Sequence, residues 1–246
     1  GMYILYLVVY AHLKPNSAPA AKVEHASAGE IMRGLLPPLL LILVVLGSIL
    51  SGAATPTEAA GIGAVGALLL AIVKRQMSVA RLHEVGINTL EVTCMVFMIL
   101  IGAAVFSLVF RGFGGEELIH HFFESLPGGV VAATLVVMLV IFLLGFILDF
   151  IEITFVVVPI VGPILLTMGV DPIWLGIMIA MNLQTSFLTP PFGFALFYLR
   201  GVAPPELATG AIYRGVVPFI IIQLLAMAAL WYWPEMATGL PALLKD

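Results

Sequence analysis

Long apolar runs alternate with short polar segments along this chain, and the lengths of the runs predict membrane-spanning helices. A helix needs about 20 predominantly apolar residues to cross the hydrocarbon core of a bilayer. The run at residues 88–110 has 23 residues, which is enough for a complete span. Three further runs, at residues 35–50, 59–73 and 212–233, predict three more spans. The last of them ends in Trp231-Tyr232-Trp233, which is typical of an aromatic anchor at the membrane interface.

The N-terminal run, Gly1–Leu13, is too short for a complete span and lacks the basic segment that precedes the apolar part of a signal peptide. We interpret it as the end of a span in a longer protein. Residues 14–30 are polar and rich in proline and alanine. This segment is expected to form an aqueous loop.

The residues Thr55-Pro56-Thr57-Glu58 predict the start of a helix. Thr55 suits the N-cap, Pro56 suits the first helical position, and Glu58 completes a capping box. Closely spaced alanine and glycine residues follow, and they allow a second helix to approach closely. We therefore assign Glu58 to helix capping rather than to a ligand site.

The apolar segment 129–168 is too long for a single span. Its 40 residues would form a helix of about 60 Å, twice the hydrocarbon thickness. A polar break at Leu148–Glu152 lies near its middle, so the chain must fold back there. Two arrangements are open: two short spans joined by an aqueous turn, or a re-entrant hairpin whose acidic tip lies at membrane depth. Re-entrant backbone requires cover from protein or from a wet cavity.

A second defect interrupts the apolar segment 172–200. The sequence Thr189-Pro190-Pro191-Phe192-Gly193 follows a polar stretch that begins at Asn182. Two adjacent prolines remove two amide donors, so the carbonyls one turn earlier need other partners. This pattern predicts a helix that is broken within the membrane.

Composition and charge exclude several classes of function. Of the 246 residues, 62% are hydrophobic and 10% are charged, whereas soluble domains carry roughly a quarter charged residues. The net charge of −4 without a basic patch argues against nucleic-acid binding, and the single cysteine, Cys94, excludes a disulfide framework. The sequence contains no hydrolase or phosphate-loop motif. We expect a membrane protein that is not an enzyme and has no resident cofactor or metal.

The basic residues predict the orientation in the membrane. If segment 130–168 returns to the side that it leaves, eight of the ten Lys and Arg residues lie on one face, which the positive-inside rule assigns to the cytoplasm. The acidic connection 111–129 then faces outward. The eight residues are Lys14, Lys22, Arg33, Lys74, Arg75, Arg81, Arg200 and Arg214, while Arg111 and Lys245 lie opposite.

A polar hairpin tip together with a proline-broken helix is typical of a cation site in a transporter. Carbonyl, hydroxyl and carboxylate oxygens are the ligands that hard cations prefer, and the amino ends of half-helices attract anions. Alternatively, the polar side chains only join helices through hydrogen bonds, and the two carboxylates lie in an aqueous turn. The candidate ion-binding residues are Asp149, Ser186, Thr189, Pro190 and Gly193. The candidate substrate-binding residues are Asn182, Gln184, Thr185 and Glu152.

Several of these motifs resemble the large membrane subunit of tripartite ATP-independent periplasmic (TRAP) transporters. Residues 52–60, GAATPTEAA, are similar to the family's G-x-x-T-P-T-E-A-A stretch. The resemblance extends over roughly residues 30–215, and the motifs occur in the family's order. The other matching positions are Leu148-Asp149, Pro159, Pro163, Gly169–Pro172, Gly176, Asn182–Gln184, Thr189–Gly193 and Phe197.

The resemblance implies an elevator-type, Na⁺-coupled importer of small organic acids, such as carboxylates, in the bacterial inner membrane. It implies two partners, a small TRAP membrane subunit and a periplasmic substrate-binding protein. It also implies two inverted repeats, of which this chain contains the second, and a Na⁺ site lined by Asp149, Thr189 and Pro190. Two features depart from the family pattern, the stretch Ser186-Phe187-Leu188 and Glu152, and they leave details of the substrate pocket open. The sequence also leaves the choice between Na⁺ and H⁺ as the coupling ion open.

An alternative remains, because an inverted-repeat transporter builds its central site from both halves. The chain would then be a non-transporting structural membrane subunit or a degenerate half-transporter. On either reading the predicted fold is all-α and polytopic, with a helical hairpin and a proline-broken helix. The predicted regions are a truncated span with a cytoplasmic loop (1–34), scaffold-type helices (35–110), a periplasmic loop (111–129), a transport-type hairpin and broken helix (130–201), and a final span with a tail (202–246).

Overall fold

The computed structural model describes residues 1–15, 27–190, 193–204 and 207–243, and over these ranges the protein is helical throughout, with no β-strand. Most of the predicted loop 14–30 lies outside the described residues. So do four residues singled out from the sequence, which are Lys22, Pro191, Phe192 and Lys245.

The twelve α-helices of the described ranges include five segments that are apolar and long enough to cross a membrane. The helices are α1 (Met2–Leu13), α2 (Ala28–Leu50), α3 (Pro56–Val73), α4 (Val79–Gly112), α5 (Gly115–Glu124), α6 (Gly129–Leu144), α7 (Phe150–Glu152), α8 (Val158–Thr167), α9 (Pro172–Leu188), α10 (Phe194–Val202), α11 (Thr209–Tyr232) and α12 (Glu235–Leu243). A π-helical turn at Ile153–Val157 joins α7 to α8. The five segments are Ile31–Leu50, Pro56–Val73, Val79–Gly112, Phe150–Thr167 and Thr209–Tyr232. The predicted all-α, polytopic membrane fold is confirmed.

Two segments are more helical than the sequence pattern indicated. The connection 111–129, predicted as a loop, contains α5, which starts after Gly114 and carries Glu116 and Glu117 in its first turn. Acidic side chains stabilise this end of a helix, and Phe123 anchors the other end by being buried. The tail contains α12, which buries Ala237. Short amphipathic helices of this kind escape a search for long apolar runs.

The chain divides into two compact units, and the first comprises residues 7–92. In it α2 and α3 pack against each other as a helical pair. The predicted capping box at the start of α3 is present: Glu58 N–H donates to Thr55 Oγ1 at 3.3 Å, and Thr55 N–H donates to Glu58 Oε2 at 2.8 Å. A β-carbon on Gly66 would collide with the side chain of Leu41. The glycine thus allows the close helix approach that the small residues predicted.

The second unit comprises residues 1–6 and 93–246, and its core lies between α6, α8 and α9. Among the described helices, α9 supplies the largest share of the buried residues, because its apolar positions face both the hairpin and α11. Trp174 donates from Nε1 to the carbonyl of Leu230 at 2.8 Å and packs on Trp231 with ring centroids 5.4 Å apart. Trp231 is therefore partly a core residue. Its neighbours Tyr232 and Trp233 stay exposed, as an interface anchor requires.

Candidate functional site

The fold-back predicted near the middle of segment 129–168 forms the tip of a hairpin between α6 and α7. Helix α6 ends at Leu144, and irregular backbone continues to Asp149. Asp149 is the N-cap of α7: Phe150 N–H donates to its Oδ1 at 2.7 Å, and Asp149 N–H donates to Glu152 Oε2 at 3.3 Å. Both carboxylates therefore cap the second arm. Asp149 and Glu152 have the same spacing as Thr55 and Glu58, so this second capping box could also have been predicted from the sequence.

The last two turns of α9 carry polar side chains that are buried against the hairpin. Asn182 is 2% exposed, and its Nδ2 donates to the carbonyl of Met138 in α6 at 2.7 Å. Ser186 is fully buried and donates to the carbonyl of Leu183 at 2.8 Å. Asn182 therefore joins α9 to the hairpin in the way that the interhelical alternative described, whereas the hydrogen bond of Ser186 stays within α9.

The hydroxyl groups near the end of α9 all donate their hydrogens to carbonyls of their own helix. Thr185 Oγ1 donates to the carbonyl of Met181 at 2.7 Å, and Thr189 Oγ1 donates to the carbonyl of Thr185 at 2.8 Å. Such bonds compete with the helical ladder and are common where a helix bends or ends. Because a hydroxyl oxygen keeps its lone pairs when it donates, each of these oxygens remains able to accept a hydrogen bond or bind a cation.

The hairpin tip lies directly on the last turn of α9. Gly145 is buried, and a β-carbon added there would lie 2.8 Å from the β-carbon of Ser186. Its backbone is right-handed helical, with φ −63° and ψ −7°, so glycine is needed here for space rather than for conformation. The rings of Phe150 and Phe187 meet edge to face with centroids 6.2 Å apart, which is a second contact between tip and helix.

The predicted break in the helix lies immediately after this contact. Helix α9 ends at Leu188, Thr189 turns to extended backbone with ψ 122°, and α10 begins at Phe194. Gly193 N–H donates to the carbonyl of Thr189 at 3.2 Å, so the chain folds back over the end of α9. A β-carbon on Gly193 would lie 2.5 Å from the carbonyl oxygen of Phe187. Only glycine fits this position without a shift of the backbone.

The structure brings some predicted site residues together and separates others. Asn182 and Ser186 face the hairpin, whereas Gln184 is exposed and faces a pocket formed with α1 and α11. That pocket contains Gln223, a buried amide that sequence reasoning missed. The sequence feature that could have indicated Gln223 is a single amide in the middle of an apolar span.

The site as described is rich in oxygen and poor in cationic groups. Its polar atoms are hydroxyls, backbone carbonyls and the carboxylates of Asp149 and Glu152. In the part of the chain that the structure describes, no cluster of three or more His, Cys, Asp or Glu side chains is arranged to hold a metal ion. The oxygens present are of the type that a hard monovalent cation prefers.

Comparison with known proteins points to one family. The family described as "Tripartite ATP-independent periplasmic transporter, DctM component" matches residues 1–236. The chain is 31% identical over 244 residues to the C4-dicarboxylate TRAP transporter large permease protein DctM of Pseudomonas aeruginosa, covering 97% of this chain and 56% of that protein. It is 28% identical over 236 residues to the uncharacterized protein YgiK of Salmonella typhimurium, covering 96% and 53%.

A third relative carries a different substrate in its name. The sialic acid TRAP transporter large permease protein SiaM of Vibrio cholerae is 27% identical over 221 residues, which is 89% of this chain and 50% of that protein. The chain thus spans about half the length of the relatives that it matches.

Proposed function

This chain belongs to the DctM component family of tripartite ATP-independent periplasmic transporters, and on that basis we propose that it takes part in Na⁺-coupled import of small organic acids. The family predicted from the sequence motifs is confirmed, and the protein is a multi-pass protein of the bacterial inner membrane. We propose that it works with a small TRAP membrane subunit and a periplasmic substrate-binding protein, and that carboxylates are its substrate class. Its role is that of a permease rather than an enzyme.

The observation that carries this proposal is the contact between the hairpin tip and the end of α9. Gly145 lies on Ser186, and the helix breaks three residues later at Thr189. Irregular backbone at the tip and at the break therefore occurs at one place in the fold. In a membrane such backbone is stable where protein covers it or where it lines a cavity, and half-helix ends in transporters use their carbonyls to bind the coupling ion.

The roles we propose follow from this geometry. The oxygens of Asp149, Ser186 and Thr189 supply ligands to Na⁺, while Pro190 and Gly193 keep the backbone open so that carbonyls at the end of α9 face the ion. Substrate contacts come from the amide and the hydroxyl that lie on the same two turns, together with the second carboxylate of the tip. These residues are Asn182, Thr185 and Glu152, while Gln184, the fourth residue assigned from the sequence, faces the pocket with α1 and α11 instead.

The test is Na⁺-dependent uptake into proteoliposomes by the intact transporter with its partners. Asp149→Asn is the informative variant because asparagine also caps helices, so the charge is lost while the cap is kept. Asp171→Asn is the matched control: Asp171 caps the opposite end of α9 and accepts from Trp174 N–H at 2.8 Å. We expect Asp149→Asn to raise the Na⁺ concentration required for half-maximal uptake at least several-fold, and Asp171→Asn to leave it unchanged.

A second pair of variants tests whether the hydroxyl group of Thr189 or only the shape of its side chain is needed for Na⁺ dependence. Thr189→Ser keeps the oxygen and is expected to keep Na⁺ dependence, whereas Thr189→Val keeps the shape and is expected to lose it. Unchanged Na⁺ dependence in both Asp149→Asn and Thr189→Val would refute the ion site. Absence of any uptake by the unmodified transporter would instead favour the alternative of a structural subunit.

A further inference from the structure

The π-helical turn Ile153–Val157 interrupts the second arm of the hairpin between its tip and α8. In this turn the N–H of Val158 donates to the carbonyl of Ile153, five residues earlier, whereas an α-helix would pair it with the carbonyl of Thr154. Turns of this kind are rare and frequently lie at functional sites. The second arm therefore contains one residue more than a continuous α-helix would need.

The extra residue decides which side chain of the arm enters the core. The core-facing side of α8 includes Val158, Val161 and Leu165, which lie three and four residues apart. A continuous α-helix would add Thr154 to this side, one turn before Val158. In the structure Ile153 is fully buried instead, and Thr154 is exposed. The π-helical turn thus gives the core an isoleucine where α-helical pairing would place a threonine.

Two features of the sequence favour the wider turn. Pro159 has no amide hydrogen, and in an α-helix its ring collides with the carbonyl four residues earlier, which is that of Phe155. Widening the helix just before the proline relieves this collision. Isoleucine also makes more van der Waals contacts in a packed core than the smaller threonine does. The turn therefore allows the tip and α8 each to pack on its own preferred side.

The direction in which Ile153 faces is transmitted to Asp149. The N–H of Ile153 donates to the carbonyl of Asp149 at 3.2 Å, and the capping box with Glu152 closes the same turn. Phe150, which belongs to this turn, packs on Phe187 of α9 with ring centroids 6.2 Å apart. A continuous α-helix from α8 would rotate the whole turn by about 100°, the angle of one residue. Asp149 would then turn away from the end of α9.

We propose that Ile153 is a positioning residue, which directs the carboxylate of Asp149 toward the candidate ion site by holding the π-helical turn. This inference rests on the proposed transport function. Ile153 does not contact the ion, because its side chain is apolar and lies in the core. It acts only through the direction of the helical turn that begins at Asp149.

Two altered chains test this role. The exchange variant, Ile153→Thr with Thr154→Ile, moves the isoleucine to the position that α-helical pairing turns toward the core, so the tip should rotate. Deletion of Thr154 removes the extra residue, so that Ile153 lies one α-helical turn before Val158 and the tip should keep its direction. The matched control is Leu166→Thr with Thr167→Leu, since both residues are exposed on the regular part of the same arm.

Two measurements are made on each chain. The first is the Na⁺ concentration required for half-maximal uptake by the intact transporter in proteoliposomes, with the maximal rate and the substrate KM recorded separately. The second is the yield with which a short bifunctional thiol reagent links Phe150→Cys to Phe187→Cys in a Cys94→Ala background. Cross-linking requires no transport, so it reports the direction of the tip independently of the proposed function.

We expect the exchange variant to raise the required Na⁺ concentration about tenfold or more, as for loss of one charged ligand, and to lower the cross-linking yield. The deletion of Thr154 and the control should leave both quantities unchanged. Unchanged cross-linking in the exchange variant, or a fall in maximal rate alone, would mean that Ile153 only stabilises the fold and would overturn the proposal.

The deletion decides the question even where the exchange variant is not recovered from the membrane. Retained cross-linking and an unchanged Na⁺ requirement without Thr154 support the proposal, and loss of both overturns it. The expected pattern of cross-links in a transporter whose uptake does not depend on Na⁺ would show that Ile153 directs the tip, while it would refute the ion site of the proposed function. The two failures are therefore distinguishable.

Discussion

The contact between the hairpin tip and α9 can be tested by adding a single methyl group. Gly145 has ordinary helical dihedral angles, so Gly145→Ala creates no backbone strain. The added β-carbon would lie 2.8 Å from the β-carbon of Ser186, closer than the 3.5–4.0 Å at which carbon atoms rest against each other. Ser186 cannot move aside, because it is fully buried within α9.

The magnitude follows from two opposing effects. Forcing one methyl group into a filled space costs about 1–3 kcal/mol. Replacing glycine by alanine at a compatible position contributes about 0.4–1 kcal/mol of stability through the unfolded chain. Gly145→Ala should therefore lower the free energy of unfolding by about 1–2 kcal/mol. In a Ser186→Gly background the obstacle is gone, so the same substitution should be neutral or stabilising.

The assay is a double-mutant cycle, with unfolding free energies measured by detergent titration in mixed micelles. Ser186→Ala is the intermediate case, since it removes the oxygen but keeps the β-carbon, and it should relieve only part of the cost. Gly176→Ala, in open space on α9, is the control and should not destabilise. If Gly145→Ala costs the same with serine and with glycine at position 186, the close approach of the tip to α9 is wrong.

Three further predictions concern the break, a cap and a core contact. Gly193→Ala should lower the free energy of unfolding more than Gly145→Ala does, because its β-carbon would lie 2.5 Å from a backbone carbonyl oxygen, and transport should fall as well. If Gly193→Ala were as stable as Gly176→Ala, this prediction would be wrong. Thr55→Ala should lower the free energy of unfolding by about 1 kcal/mol in thermal unfolding, while Thr55→Ser should leave it nearly unchanged. An unchanged stability in Thr55→Ala would show that the N-cap does not stabilise α3. Trp174→Phe removes the hydrogen bond to the Leu230 carbonyl and should lower the free energy of unfolding by about 1 kcal/mol or more. An unchanged stability in the same measurement would show that this bond is not formed in the membrane.

Features that depend on local chemistry could be predicted from the sequence. The cap at Thr55 and the break after Leu188 follow from residues adjacent in the chain, since a threonine hydroxyl and a missing proline amide act within one turn. The turn near Asp149 followed from length alone, because 40 apolar residues cannot remain one span. Amphipathic helix α5 was missed because it buries only one side chain and contains no long apolar run.

The arrangement of the site could not be predicted in the same way. Asn182, Gln184 and Ser186 lie within five residues, yet the first and last face the hairpin and the middle one faces the pocket with Gln223. Successive residues of a helix point about 100° apart, and the side on which a partner packs is set by contacts between residues far apart in the chain. The bond from Asn182 to Met138, for example, spans 44 residues.

The sequence by itself therefore determined that this is a helical membrane protein of the TRAP large-permease type, and it located the hairpin and the broken helix. Those properties follow from run lengths, proline chemistry and motifs, all of which are local. The tertiary structure alone decided that Gly145 lies on Ser186, that Asn182 bonds to the carbonyl of Met138 in α6, and that Gln223 is buried beside a pocket between α9 and α11. Each of these depends on which helix faces meet, and packing across the whole unit chooses those faces.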